Sequence, residues 1–241
     1  GFVLQEIEQS DTVRAKDKWF WGAQAGFEWR KSDTARLKLG LAYYDYRNVS
    51  GIPNPIDAPS TGPFDRTAPA FRQKGNTVFD INANNANATI LALAPDFNLV
   101  NLTASLDLAN FDPVHVILSG DYVKNTGYNE SEIAARTGLQ DTDAKVTGWQ
   151  GRLTVGMPAI RDQHDWNVFG GYRYLQRDAV LDAFTDSDFH LGGTDTKGYF
   201  IGGNYGLAKN TWVSLRWLSA DQISGLPLAI DVLQLDLNAK F

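Results

Sequence analysis

The residues with chemistry to offer are charged, and most of them share one alternation. Glu28, Arg30, Arg36, Lys38, Asp107, Asp121, Arg152, Arg173, Arg216, Asp236 and Lys240 fall on one parity of stretches whose other parity is apolar. Successive side chains of a strand point to opposite faces, so these charges would line a single face. A mixed-charge face does one of two things. In a narrow enclosure it closes into a salt-bridged plug; in a wide one it is the wall of an aqueous channel. Two further groups lie in long irregular segments. Arg66, Arg72, Lys74 and Asp80 belong to residues 47–97, and Asp178, Asp182, Asp186, Asp188 and His190 to residues 178–195. The second group suggests a solvated acidic loop, a weak divalent-cation site, or an Asp–His dyad of a hydrolase.

The elements that must position these groups repeat one pattern. In 18–30, Trp19, Trp21, Ala23, Ala25, Phe27 and Trp29 alternate with Lys18, Gly22, Gln24, Gly26, Glu28 and Arg30, and Phe20 breaks the rule. In 34–46, Leu37, Leu39, Leu41 and Tyr43 alternate with Arg36, Lys38, Gly40 and Tyr44. The same reading places strands at 98–109, 114–125, 145–156, 166–177, 197–207, 211–220 and 230–241, with a weaker one at 1–9. That makes about ten strands of the ~9–11 residues a tilted membrane strand needs. Short connections near 31–33, 110–113, 157–165 and 208–210 alternate with long ones near 10–17, 47–97, 126–144, 178–195 and 221–229. Outer-membrane barrels sort their loops this way. Trp19, Trp21, Tyr43, Tyr122, Tyr172, Tyr174, Tyr199 and Trp217 would form one aromatic girdle. Trp29, Trp166, Tyr205 and Phe241 would form the other, at the short-turn, periplasmic end. The expected fold is all-β: one antiparallel up-and-down transmembrane β-barrel domain over 1–241.

Composition excludes several classes. The 241 residues contain no Cys, so no disulfide framework or thiolate metal site is expected. The net charge of −6 argues against a nucleic-acid partner. No apolar run approaches the ~18 residues of a spanning helix, which leaves a barrel open because its apolar residues alternate. No metal and no cofactor are expected. The sequence lacks an initiating Met and a signal peptide, which suggests a start at a processed or truncated point.

Several stretches resemble a known family. Lys18–Trp29, Gln73–Ile81, Leu139–Asp143, Asp178–Thr194, Tyr205–Trp212 and Ile230–Phe241 are similar to the bacterial "putative porin" family. The alternating strand ending on Phe241 also resembles the closing strand of outer-membrane barrels, which the barrel-assembly machinery reads. The resemblance implies an outer-membrane pore contacting lipid and lipopolysaccharide, with a homotrimer as one arrangement, and names no solute. Longer members carry further strands, so the barrel has either ten strands or about sixteen, of which these would be the C-terminal part.

The expected function is passive diffusion of small hydrophilic solutes or ions, with no enzymatic activity. Two alternatives remain: a plugged barrel anchoring the envelope, and an outer-membrane hydrolase using His190. Arg66, Arg72, Lys74 and Asp80 are expected in a constriction loop, with residues near 64–81 folded inward against wall carboxylates such as Asp107 and Asp121.

Overall fold

The computed structural model describes residues 1–31, 33–139 and 142–240. Ten of its strands form one antiparallel sheet, each hydrogen-bonded to its neighbours in chain order. They are β1 (Phe2–Gln5), β2 (Lys18–Lys31), β3 (Ala35–Arg47), β6 (Phe97–Phe111), β7 (Val114–Asn125), β8 (Thr147–Gly156), β9 (Trp166–Leu175), β10 (Thr196–Ala208), β11 (Thr211–Gln222) and β12 (Ala229–Ala239). β4 (Val78–Asp80) and β5 (Leu91–Leu93) form a separate hairpin within the longest connection. Strand number and up-and-down order agree with the sequence reading. Closure does not: β1 and β12 are the two edges of the sheet and do not pair. β1 is also shorter than 1–9, because the chain turns away after Gln5 and Ile7 N–H donates to Asp17 Oδ1 at 2.7 Å.

The two faces differ as the alternation requires. Leu41, Leu102, Leu118, Val168, Ile201 and Leu215 are all about half exposed, and Leu233, Leu235 and Leu237 are 72–74% exposed. Complete burial of such a side chain is worth about 1.5–3 kcal/mol, and at least half of that is still unrealised at each of them, so a sheet with this face bare in water would be poorly stable. The other face carries the charged parity and receives the long connections.

All the long connections leave one end of the sheet, and they are folded. Val49, Leu93, Phe97, Leu99, Val123, Ala179 and Leu181 form a buried cluster that joins two connections to the charged face. Phe79, Ile81, Ala92, Ala94 and Ile133 form a second. Residues 126–144, read from sequence as a polar loop, contain helix α1 (Glu130–Thr137). The Asn129 side chain accepts from the N–H groups of Ser131 and Glu132, and Gly138 ends the helix at φ 70°. The short-turn end is tied differently. Asp165 Oδ2 accepts from the N–H groups of Arg161 and Asp162, both at 2.8 Å, and these backbone donors hold its carboxyl below the usual range.

Candidate functional site: the charged face of the sheet

Cross-strand rows order the charged face, because directly paired residues stand side by side. One row runs Glu28, Lys38, Ser105, Ser119, Arg152, Gly171, Phe200, Leu218, Val232. The next toward the short turns runs Arg30, Arg36, Asp107, Ile117, Thr154, Phe169, Gly202, Arg216, Gln234. On the long-loop side lie Thr103, Asp121, Gln150, Arg173 and Gly198. Asp236 pairs with Ser214 near the short turns. Lys240 lies just beyond β12, exposed, its N–H bonded to Asn210 O at 2.9 Å. The other pore-lining candidates therefore occupy strand positions of one face.

The face has two chemically different halves. On β2, β3, β6 and β7 most of the charges are paired. Arg36 grips Glu28 through Nε and Nη2, each at 2.9 Å, and Arg30 also bonds Glu28. Asp107 meets His115 Nδ1 at 2.7 Å. Above them a cavity of about 610 Å³ is bordered by Gln24, Glu28, Lys38, Thr103, Asp121 and Gln150. Small residues open it: a Cβ on Gly40 would crowd Thr103.

On β8 to β11 the face is filled. Glycines make room for rings, since a Cβ on Gly171 would collide with Phe200 and one on Gly202 with Phe169. Phe200, Leu218 and Ala220 pack with Phe189, which comes from the 178–195 connection. That connection also brings Asp186 to 3.7 Å from Arg173 and Asp188 to 3.1 Å from Arg216. Arg173 lies over the Phe189 ring at 4.5 Å and Arg152 over Phe169 at 3.9 Å.

The expected constriction residues belong to the loop layer and bond mainly within it. Segment 73–77 packs on the 177–194 stretch rather than on the charged wall. Asn76 donates to the carbonyls of Arg177 and Val180 and accepts from Asp182 N–H. Thr77 donates through N–H and Oγ1 to the Asp178 carboxylate. Gly75 and Gly193 interlock, both at positive φ. Lys74 Nζ reaches His190 Nδ1, and Arg72 lies close enough to Asp182 for their charges to attract. Arg66 is exposed in a 3-10 turn. Asp80 accepts from the N–H groups of Asn82 and Ile90 and so ties a turn. Burial raises the Asp178 and Asp182 carboxyls above the usual range, against the lowering pull of the Thr77 donors on Asp178.

A family model matches this architecture over residues 3–241, and its description is "Putative porin". The chain belongs to that family. No curated protein and no solved structure matches it. Among the described residues of this family member no helix is long and apolar enough to cross a membrane, and no cluster of His, Asp and Glu is arranged to hold a metal.

Within this porin-family chain, sequence reasoning missed the docking of Asp186, Asp188 and Phe189 on the wall. A signal existed: Phe20, Leu99, Val123, Phe200 and Leu218 are apolar on the polar parity, and each packs on another aromatic ring or in a buried cluster. His190 does not join Asp186 or Asp188. Its Nε2 faces Leu228 O at 3.0 Å, and its Nδ1 faces Lys74. Phe241 lies outside the described residues, so its expected part in assembly has no structural counterpart here.

Proposed function

We propose that the protein is an outer-membrane porin. Its sheet closes into a transmembrane β-barrel around water, and small hydrophilic solutes or ions diffuse through it without an enzymatic step. The observation that carries this reading is the division of one antiparallel sheet into an exposed aliphatic face and a charged face bordering a cavity of about 610 Å³. Lipid would satisfy the first face and water the second. Family membership supports the same role. The long connections would be extracellular and the short turns periplasmic, which puts the end of β12 on the periplasmic side.

Closure has to satisfy a physical requirement. A strand edge in hydrocarbon leaves N–H and C=O groups unpaired at several kcal/mol each, so the free edges of β2 and β12 must be covered. β1 runs toward the long-loop end and β12 away from it, which is the antiparallel sense that pairing needs. Either those edges meet or further strands of a larger barrel, about sixteen in all, lie between them. A homotrimer and contact with lipopolysaccharide and the assembly machinery belong to the same proposal.

A plugged anchor is the second reading, favoured by the packed Phe189, Phe200 and Leu218 on the inner face. Planar-bilayer recording separates the two. Stepwise conductance is expected of a porin; a silent bilayer with protein correctly inserted would leave the anchor.

A further inference from the structure

Three arginines on the filled half share one construction. Arg152 Nε donates to Thr154 Oγ1 at 3.3 Å, Arg173 Nε to Gln150 Oε1 at 2.8 Å and Arg216 Nε to Gln234 Oε1 at 2.7 Å. Each guanidinium is thus pinned to the wall by a neutral acceptor, which fixes its direction and leaves its charge intact. Two also lie over rings, Phe169 and Phe189, which covers a face of the guanidinium and leaves its edge. Arg216 is near enough to Arg152 and Arg173 for their charges to repel.

Carboxylates answer only part of that charge. Asp188 meets Arg216 at 3.1 Å, while Asp186 stands 3.7 Å from Arg173, beyond good hydrogen-bond length. Arg152 has no ion pair among the described residues, and its one hydrogen bond uses Nε. The contrast with Arg36, held bidentately by Glu28, is direct. Both aspartates come from a connection rather than from the wall, and their side chains are 30% and 47% exposed.

The geometry points to a site for a permeating oxyanion, a carboxylate or phosphate, on Arg152, Arg173 and Arg216, with Asp186 and Asp188 as competing internal counter-ions. A planar fork of N–H donors matches two oxygens of one anion better than it matches a spherical halide. The wall around the site is partly apolar, so the uncompensated charge acts through a low dielectric and concentrates anions. An arriving oxyanion would take the free edge of Arg152 first. It would then exchange with Asp186 at the long contact to Arg173, and the internal carboxylates would speed its release. This names the solute class of the proposed channel and rests on that reading.

The test uses the full chain in planar bilayers under a potassium chloride gradient, with malonate and inorganic phosphate as probes. Anion-favouring reversal potentials and block of chloride current by either probe are expected. Arg152→Gln should lower the anion-to-cation permeability ratio at least threefold and weaken the block about tenfold. Arg152→Lys keeps the charge and should retain most of the ratio while losing the block. Asp186→Asn with Asp188→Asn should tighten the block. Stronger block by malonate assigns carboxylate solutes, stronger block by phosphate assigns phosphates, and equal block assigns oxyanions generally. A ratio and block unchanged in Arg152→Gln would overturn the site. If the unaltered protein conducts nothing, the channel reading fails on its own. Calorimetry in detergent then decides the site: binding of malonate or phosphate lost in Arg152→Gln supports it, and no binding overturns it.

Discussion

Lys74 Nζ lies 2.6 Å from His190 Nδ1, and His190 Nε2 lies 3.0 Å from Leu228 O. One buried imidazole therefore joins three of the long connections. With Lys74 protonated, one tautomer satisfies both contacts: Nδ1 accepts from the ammonium and Nε2–H donates to the carbonyl. Burial lowers the His190 pKa from its usual value; the Lys74 charge lowers it further, and the Leu228 carbonyl with Asp221 and Asp195 opposes. Burial lowers that of Lys74 as well.

Acidification should loosen this junction. A histidine whose folded pKa is depressed binds fewer protons than in the unfolded chain. Its stabilisation is complete above the unfolded value of about 6.5 and is lost as pH falls from there toward the folded value. Asp178 and Asp182, shifted upward, act in the opposite sense: protonation near and below their raised values favours the folded loops. Amide exchange of 73–77 and 190–194, corrected for intrinsic rates, should accelerate several-fold between about pH 7.5 and 5.5. His190→Gln keeps an acceptor and a donor, so in that variant acidification should protect the loops instead. Acceleration of equal size in both proteins would remove His190 from the account.

Asn76 should be the most sensitive single position in the loops. It is buried and makes three hydrogen bonds to backbone groups more than one hundred residues away in sequence. Asn76→Ala leaves the Val180 carbonyl and the Asp182 N–H without that partner, at about 1–3 kcal/mol for each that water cannot reach, while the Arg177 carbonyl keeps Thr194 Oγ1. Limited proteolysis should then cut 73–77 readily, and single-channel current should become noisier as the layer over Phe189 loosens. Resistance equal to that of the unaltered protein would mean that the interlocked glycines and Thr77 hold the layer unaided.

The strands were legible in the sequence, and the loop packing was not, for one physical reason. Alternation such as Trp19 to Trp29 reports a face transferred wholesale into one environment, and it needs no knowledge of partners. The contact of Asn76 with Asp182, or of Asp186 with Arg173, depends on how two long segments fold back, and no local period encodes that. What was readable was the exception. Phe20 breaks the alternation of β2, and it packs between Phe2 and Tyr46 at 5.0 and 4.9 Å. Apolar residues on the polar parity mark where other parts of the chain lie on the wall. Read that way, Phe200 and Leu218 point to the acidic connection as one that lies on the charged face; the 64–81 stretch touches the sheet elsewhere, where Lys18 Nζ donates to Ala68 O at 2.7 Å. Closure was not legible, because alternation fixes faces and leaves the pairing of edges open.

Two residues of β6, three positions apart and on opposite faces, offer a test of which face meets lipid. Leu102 is 50% exposed on the aliphatic face, and Ser105 borders the cavity on the other. Leu102→Arg should cost about 2–4 kcal/mol if it lies near the bilayer midplane. Ser105→Arg should cost little, having water beside it. Urea unfolding in lipid vesicles measures both. Equal costs would argue that the aliphatic face contacts protein rather than lipid.

In an antiparallel ladder successive N–H groups of one strand point alternately to its two neighbours. β12 has β11 on one side, paired from Asp221–Ala229 to Thr211–Ala239. About half of its amides therefore bond β11, and the rest point to the open edge. If the porin reading holds, that edge is covered in the bilayer, and every amide from 230 to 238 should exchange slowly. If the edge stays bare, protection should alternate, slow toward β11 and fast away from it. The free edge of β2 beyond Phe20 should behave the same way, since β1 reaches only as far as the Phe2–Phe20 pair. Uniform protection on both strands supports a closed barrel. Alternating protection on both would refute closure, and with it a place in hydrocarbon, where an uncovered edge is untenable.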